Sequence, residues 1–310
     1  MLSSVHQKQT KVFVGKSTEY RQKERINKMK KIIALVLALC MVFALCACGS
    51  SGKKFSTVKD IQKAGVLTVA TSPDFAPMEF VDSSKSGQEQ YVGFDITLAQ
   101  FIADKLGVAL EIDAMSFDAC QTAVYTGNVD LSISGYSWTE ERAQNYELSD
   151  YYYAGENETE QVILIRKDDA DKYTSAEDFA GADVGAQNAS LQMMLLTEQL
   201  PDANPITVGD INVGVLELQS GNIEALAVAK GNADAILVNN TDLAICDWMF
   251  EVAAEYEANV IMITKGNTAL LEFVNECLAE AYEAGYYGDW YDDAVALSES
   301  EAAIEVQVED

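Results

Sequence analysis

Short β-rich runs alternate with helical segments along most of this 310-residue chain. The run VLTVAT at 66–71 has the composition of a buried strand. A helix is predicted next, with Asp95 as its N-cap and Gly107 as its left-handed stop, because apolar residues recur between them at helical spacing. This alternation of strand and helix predicts an α/β protein.

The same succession repeats after residue 155, so we predict two α/β lobes with a ligand cleft between them. Further strands are predicted at 110–114, 130–134, 161–166, 182–187, 205–208, 225–229 and 259–264, and further helices at 118–125, 176–179, 190–200, 216–219 and 269–284. The first lobe is predicted to comprise 56–154 and 259–310, with the second lobe, 155–258, inserted into it.

An apolar run at 32–47 follows the basic stretch KMKK and is too short for a comfortable membrane span, which is typical of a secretory signal. Leu45 lies three residues before Cys48, with the small Ala47 between them, and this ending resembles the lipobox of bacterial lipoproteins. The resemblance implies cleavage before Cys48 and acylation of its sulfur. A signal-anchor helix is the alternative.

The residues before Met29 fit no signal peptide, because they are polar and delay the basic region by a full segment. We therefore expect residues 1–28 to be translated upstream sequence and 29–47 to be the lipoprotein signal. Lys23-Glu24 can be encoded by a purine-rich ribosome-binding stretch, which the nucleotide sequence would reveal. Residues 48–55 then form a flexible tether.

The chain contains 21 basic and 49 acidic residues. Removing the nine basic and two acidic residues of 1–47 leaves 12 basic and 47 acidic residues, a net charge of −35. Such a field repels phosphate backbones, so nucleic-acid binding is not expected, and neither is charge-driven contact with anionic lipid. The lipid on Cys48 is left as the predicted membrane anchor.

His6 is the only histidine of the chain, so residues 48–310 offer no Ser-His or Cys-His catalytic pair and no imidazole metal ligand. Cys120, Cys246 and Cys277 form an odd, scattered set rather than a disulfide framework, and we expect small buried hydrophobes. No metal and no cofactor is predicted.

Three loops each follow a predicted strand and precede a helix or turn, where α/β folds bind ligands. They are TSPDFAPMEF at 71–80, SGYSWTEER at 134–142 and GAQNASLQ at 185–192. Together with GFD at 93–95 and ELSDYYY at 147–153, they resemble the family 3 extracellular solute-binding proteins. That resemblance implies a type II periplasmic-binding-protein-like fold and an amino-acid receptor of an ABC importer.

Arg142 is one of two arginines after Cys48 and lies three residues after Thr139, in a pattern that opens a helix. The planar fork of an arginine can hold a carboxylate through two parallel charge-assisted bonds. The resemblance assigns this position to the α-carboxylate of the ligand. A salt bridge to Glu140 or Glu141 is the alternative.

The resemblance also places hydroxyl and backbone groups of the loops against the ligand. It assigns ligand contacts to Ser134, Gly135 and Ser137, and to Gln187 and Ser190 in the second lobe. At a helix N-terminus, Ser190 lies beside free N–H groups that suit an anion. An ordinary N-cap role is compatible with that assignment.

Two aromatic residues are expected to enclose the apolar part of the ligand. Phe75 matches the aromatic residue of the family's first loop, and Phe117 matches a frequent wall residue. Such walls exclude water and strengthen the polar contacts. Core packing is the alternative for both residues.

The sequence departs from the family pattern at the aspartate that usually clamps the ligand's ammonium group. The corresponding residue is Ala229, or Asn239 in a second alignment that we consider less favourable. An unpaired ammonium group in a closed cleft is energetically costly. Either another acid binds the ammonium group, with Asp74 the nearest candidate, or the ligand is not a standard α-amino acid.

The predicted protein is a monomeric, lipid-anchored receptor outside the cell membrane that closes over a small polar solute, expected to be an amino acid. Its predicted partners are the ligand, an ABC permease and the membrane. One alternative is an exported enzyme resembling cyclohexadienyl dehydratases, with Glu79 or Asp74 as acid or base. The other is a ligand-sensing module.

Overall fold

A computed structural model describes residues 55–153, 155 and 159–299 of the chain. The helices in these ranges are α1 (Val58–Ala64), α2 (Phe94–Leu106), α3 (Phe117–Thr126), α4 (Glu140–Asn145), α5 (Leu191–Gln199), α6 (Ile211–Ser220), α7 (Lys230–Asn239), α8 (Thr268–Glu283) and α9 (Tyr286–Ser298). The predicted upstream segment 1–28, the signal 29–47, Cys48, the tether up to residue 54 and residues 300–310 lie outside the described residues.

The same ranges contain thirteen strands and four short 3-10 segments. The strands are β1 (Val66–Thr71), β2 (Asp74–Phe75), β3 (Glu79–Val81), β4 (Tyr91–Val92), β5 (Ala109–Ala114), β6 (Leu131–Ser132), β7 (Tyr146–Leu148), β8 (Gln161–Arg166), β9 (Asp183–Gln187), β10 (Asn204–Val208), β11 (Ala225–Ala229), β12 (Leu243–Ile245) and β13 (Met262–Thr264). The 3-10 segments are Gly87–Gln90, Lys167–Asp169, Ala176–Phe179 and Ala254–Tyr256.

The first lobe is built on a five-stranded sheet of order β5-β1-β6-β13-β7, packed with α1–α4, α8 and α9. Strand β1 is parallel to both β5 and β6, whereas β13 is antiparallel to β6 and β7. Because β13 comes from the C-terminal part of the chain, this sheet joins segments on either side of the second lobe. A small sheet of order β2-β3-β4 extends the loop after β1.

The second lobe is built on a sheet of order β10-β9-β11-β8-β12, packed with α5–α7. Alternate residues of β8 enter different apolar clusters: Ile163 and Ile165 pack on the side of α5, and Val162 and Leu164 on the side of α6. Helices on both faces explain why the run QVILIR is almost continuously apolar. All strands of this sheet lie within 161–245, while the predicted crossing points near 155 and 258 stay a prediction.

The structure confirms the predicted strands β8 and β11 residue for residue and corrects the start of α2. Asp95 is not the N-cap; that position belongs to Gly93, with φ 121°. A Cβ atom on Gly93 would lie 2.3 Å from the carbonyl oxygen of Met78, so the chain needs glycine here. Asp95 instead lies inside the first turn, where its buried carboxylate makes tertiary contacts.

Three helices were missed from the sequence, the short α1 among them. Helix α7 follows β11 directly, but an early Gly231 and the apolar run ILV at 236–238 hid its helical character. Helix α9 begins after Gly285 and buries residues at helical spacing, including Tyr287, Tyr291 and Ala294. Among the described residues, none of the helices has the length and apolarity that crossing a membrane requires.

The three predicted structural cysteines are buried free thiols. Cys120, Cys246 and Cys277 each lie in an apolar cluster of the described part of the chain. Burial raises the pKa of Cys246 and of Cys277 to about 11, and it also raises the pKa of Cys120. These thiols therefore act as small hydrophobes, as predicted.

An aromatic cluster packs around Phe94 in the first lobe, and the side chain of Phe94 is fully buried. Its ring centroid lies 5.6 Å from that of Tyr287, 6.2 Å from that of Trp290 and 6.2 Å from that of Tyr152. Tyr287 and Trp290 belong to α9 and Tyr152 lies after β7, so this one ring holds α2 against the returning C-terminal helix.

Replacing Phe94 with alanine should lower the free energy of unfolding by about 3–5 kcal/mol, because a buried ring is removed from a packed cluster. Urea denaturation of the purified protein measures this change. Tyr282→Ala is the control, because Tyr282 is 75% exposed, and it should change stability by less than about 0.5 kcal/mol. Similar losses for the two variants would contradict the assigned role of Phe94.

Candidate functional site

A cavity lies where the carboxyl ends of strands from both lobes meet. Loops after β1 and β6 reach it from the first lobe, and the turn after β9 and the strand β11 reach it from the second. Strands β1 and β6 are adjacent and parallel, so their loops are held together; the N–H of Ser72 donates to Ser134 Oγ over 3.0 Å. The site thus occupies the edge where α/β sheets bind ligands.

The cavity is small and has one polar and one apolar group of lining residues. The space open to the centres of water molecules is about 30 Å³. At roughly 10–15 Å³ for each water, the cavity has room for two or three waters. The polar group is Ser134, Gly135, Ser137, Arg142, Gln187 and Gln192. The apolar group is Phe75, Phe117, Leu191, Ile211, Ala227 and Val228.

Arg142 is the charged residue of this lining, and helix α4 positions it. Thr139 is the N-cap of α4, and its hydroxyl accepts the N–H of Arg142 over 3.2 Å. The guanidinium carbon lies 5.3 Å from the ring centroid of Tyr136 and 5.7 Å from that of Phe117. Both distances are within the range of cation–π attraction.

The guanidinium bonds to carbonyl groups of both lobes. Nη1 donates to the carbonyl of Ser137 over 2.6 Å, and Nη2 donates to the carbonyl of Ala189 over 3.0 Å. Each of these nitrogens carries a second N–H. Within the described residues, no carboxylate forms a salt bridge with Arg142, so the alternative of a pair with Glu140 or Glu141 is not observed. Burial lowers the pKa of Arg142.

The two predicted aromatic walls are both in place. Phe75 packs against apolar clusters of the first and the second lobe, so it bridges the cavity. Gly135 has φ 55°, and a Cβ atom there would lie 2.7 Å from the Phe75 ring. Phe117 lines the cavity and is also part of a buried cluster, with its ring centroid 4.8 Å from that of Tyr136. Lining and core packing therefore coincide in Phe117.

Two buried acids lie directly behind Ser134 and Gly135. Ser134 Oγ donates to Glu79 Oε1 over 2.6 Å, and the N–H of Gly135 donates to Asp95 Oδ2 over 2.9 Å. Burial and repulsion from Asp95 raise the pKa of Glu79 well above its ordinary value, and burial raises the pKa of Asp95 to about 6. The hydroxyl proton of Ser134 and the N–H of Gly135 are thus committed to these acids rather than to the cavity.

Asp74 lies beside the cavity in a contact between the lobes, and it is not part of the lining. Its Oδ2 accepts Gln187 Nε2 over 2.8 Å and the N–H of Ile211 over 2.8 Å, while Oδ1 accepts Ser72 Oγ over 2.8 Å. Burial and repulsion from Asp210 raise the pKa of Asp74 to about 7. The nearest predicted acid is therefore engaged by donors of the protein itself.

Ser190 is the N-cap of α5, and its hydroxyl accepts the N–H of Met193 over 3.1 Å. The structure brings it next to the lining without making it part of it. The lining residues that sequence reasoning missed, Leu191, Gln192, Ile211, Ala227 and Val228, all belong to the second lobe. Three of them begin helices capped by Ser190 and Asp210, so the two N-caps were the available signal.

The two alignments for the missing aspartate are distinguished by the fold. Ala229 is the last residue of β11, whereas Asn239 is the last residue of α7. A ten-residue helix spans about 15 Å, so Asn239 lies a helix length away from the strand end. Ala229 is the residue at the end of β11, and its correspondence with the family's aspartate stays a prediction.

Metal chemistry has no obvious ligand set in this site. Within residues 55–153, 155 and 159–299, no group of three histidine, cysteine or acidic side chains could hold a metal ion. The arrangement instead offers a buried cation, hydroxyl and amide groups, and an apolar wall, which can bind a small anion.

Comparisons with known proteins agree with this geometry. The sequence profile of the bacterial extracellular solute-binding proteins, family 3, matches residues 67–294. The arginine-binding extracellular protein ArtP of Bacillus subtilis is 30% identical over 259 residues, covering 83% of this chain and 94% of that protein. A probable histidine-binding protein of Neisseria gonorrhoeae is 28% identical and covers 89% of this chain and 99% of its own length.

A solved structure is similar to most of the chain. The amino acid ABC transporter substrate-binding protein AbpA of Streptococcus pneumoniae, bound to L-arginine, has a TM-score of 0.71 and 33% sequence identity. The match covers 78% of this chain and 100% of that chain. The chain therefore belongs to family 3 of the bacterial extracellular solute-binding proteins, and the two-lobed type II periplasmic-binding-protein-like fold predicted from its sequence is confirmed.

Proposed function

We propose that this protein is the lipid-anchored receptor of an ABC importer and that it captures a small polar solute through the solute's carboxylate. The observation that carries the proposal is the buried guanidinium of Arg142, which lines the cavity and donates to carbonyl groups. A buried cation is costly to retain without a counter-charge, and a carboxylate supplies that charge with matching geometry. Amino acids are among the solutes that carry this group.

Lobe closure is the proposed mechanism of capture. The lobes contact each other through Asp74 with Gln187 and Ile211, and through Arg142 with Ala189. Asn232 Nδ2 also donates to the carbonyl of Ala76 over 3.1 Å. Each of these bonds joins a residue of the first lobe to a residue of the second, so they form only when the lobes approach. The closed lobes present one continuous surface to a permease.

Binding rather than catalysis is favoured by the position of the acids. Glu79 and Asp74, which an enzyme of this type would use, do not line the cavity. Each is held by donors of the protein itself. The relatives described above are named as binding proteins.

The first test concerns Arg142. Arg142→Lys keeps the charge and removes the planar fork, so it should weaken carboxylate binding by roughly 2 kcal/mol or more. Thermal unfolding of the purified protein with a panel of amino acids and other small carboxylic acids measures this as loss of the ligand-induced rise in melting temperature. Arg166→Lys is the control, because Arg166 pairs with Asp169 in the second lobe and should retain the rise. Equal rises in both variants would remove Arg142 from the site.

The second test concerns Asp74, whose carboxyl has its ordinary pKa of 3.8 in the unfolded chain and a pKa of about 7 in the fold. The folded protein then holds the proton more tightly, so this group stabilises the fold most at low pH and loses that contribution as pH rises from about 4 to 7. Asp74→Asn is uncharged throughout. Its stability relative to the original protein should therefore increase by roughly 2–4 kcal/mol across that window.

Urea denaturation of both proteins at several pH values measures this difference. A difference that stays constant between about pH 4 and pH 7 would show that Asp74 titrates as an exposed carboxyl does. Since Asn can still accept the N–H of Ile211 through its oxygen, the interlobe contact is not removed by the change.

The third test concerns the anchor. In cells that express the full chain, Cys48→Ser should move the protein from the membrane fraction to the soluble fraction, because acylation needs the thiol. Cys46→Ser, two residues away, is the matched control and should leave the protein with the membrane. Membrane association of the Cys48→Ser variant would show that another segment holds it.

A further inference from the structure

We infer that the ligand of this site is a small carboxylate without an ammonium group, such as a 2-hydroxy or 2-oxo acid, rather than a zwitterionic amino acid. This inference rests on the proposed function and names the substrate class of the same cavity. It concerns the balance of charge around the ligand, which the side chains of the described residues define.

The lining carries a net charge of +1, supplied by Arg142. Its other polar side chains are the hydroxyls of Ser134 and Ser137 and the amides of Gln187 and Gln192. These groups are neutral, and the remaining walls are apolar. A ligand that neutralises this lining has a net charge of −1, which a monocarboxylate has and a zwitterion does not.

Asp74 lies behind the lining in the contact between the lobes, and both of its oxygens accept hydrogen bonds. Gln187 and the N–H of Ile211 donate to Oδ2, and Ser72 donates to Oδ1. Two of these three donors come from the second lobe, so lobe closure itself occupies the carboxylate. An ammonium group arriving in the cleft would compete with the bonds that hold the cleft closed.

Glu79 and Asp95 also lie directly behind the lining, without being part of it. The hydroxyl of Ser134 lines the cavity and donates to Glu79. The N–H of Gly135, another lining residue, donates to Asp95. Both acids are fully buried within the first lobe. Neither carboxylate belongs to the cavity lining, so neither is placed for a direct contact with an ammonium group in the cavity.

The positive end of an amino acid would therefore be enclosed by amides, hydroxyls and apolar side chains. Enclosing an ammonium group without a counter-charge is strongly unfavourable. A hydroxyl or oxo group at the same position needs only hydrogen-bond partners. Ser137 can donate or accept a hydrogen bond. Gln192 donates through Nε2 to Gln161 Oε1 over 2.6 Å, and its side chain lines the wall.

Matched pairs of ligands test the inference, since each pair differs in one group. The pairs are L-alanine with L-lactate and pyruvate, L-leucine with 2-hydroxy-4-methylpentanoate and its 2-oxo analogue, and L-phenylalanine with phenyllactate and phenylpyruvate. L-arginine is added, because it is the ligand bound in the similar Streptococcus pneumoniae structure. Isothermal titration calorimetry and melting temperature are measured for each compound with the purified protein.

In the pair that fits the cavity, we expect the hydroxy or oxo acid to bind about 100-fold more tightly than the amino acid, and L-arginine to bind no better than that amino acid. If an amino acid binds as tightly as its hydroxy or oxo partner, or more tightly, the inference is overturned while the proposed function stands. If no compound in the set binds, the proposed function fails together with the inference.

A charge-changing variant gives an independent readout. Gln192→Glu adds a carboxylate to the cavity wall without changing the length of the side chain, so it should shift the preference within each pair toward the amino acid by 10-fold or more. Gln144→Glu makes the same change on the exposed side of α4 and should leave the preference unchanged. An unaltered preference in Gln192→Glu would show that the charge of the lining does not select the ligand.

Discussion

The buried guanidinium of Arg142 is the interaction on which the rest of this site depends. It donates to the carbonyl of Ser137 in its own lobe and to that of Ala189 in the other lobe. Both bonds leave N–H groups for a further acceptor. We therefore propose that this side chain couples capture of an anionic group to closure, because it contacts the second lobe and lines the cavity at the same time.

Among the residues that the structure describes, no carboxylate forms a salt bridge with this cation, although the chain is strongly acidic. The acids nearest to the cavity are held by hydroxyl, amide and backbone donors, and burial raises the pKa of Asp74, Glu79 and Asp95. A proton on Glu79 makes it a donor to Asp95, which removes one negative charge behind the site. The acidic surface and the cationic cavity are thus separated by a layer of bonded and partly neutral carboxyl groups.

The sequence predicts the first-lobe half of the site better than the second. Phe75, Ser134, Ser137 and Arg142 stand out because they are polar or aromatic residues in the segments that follow β1 and β6, up to the first turn of α4. Ile211, Ala227 and Val228 carry no such signal, because apolar residues on a strand or helix usually belong to the core. The contact of Asp74 with Ile211 spans 137 residues, so only the folded lobes bring it together.

Family membership and ligand choice depend on different residues of the chain. The fold depends on many positions, among them the alternating apolar residues of β8 and the ring of Phe94, so about 30% identity to a relative is enough to preserve it. The charge at the ligand depends on a few side chains. On the ligand class proposed above, a single carboxylate gained at Ala229 or Gln192 would shift the preferred ligand from an anion toward a zwitterion without altering the core or the sheets. The names of the relatives therefore describe the scaffold of this protein more directly than they describe its substrate.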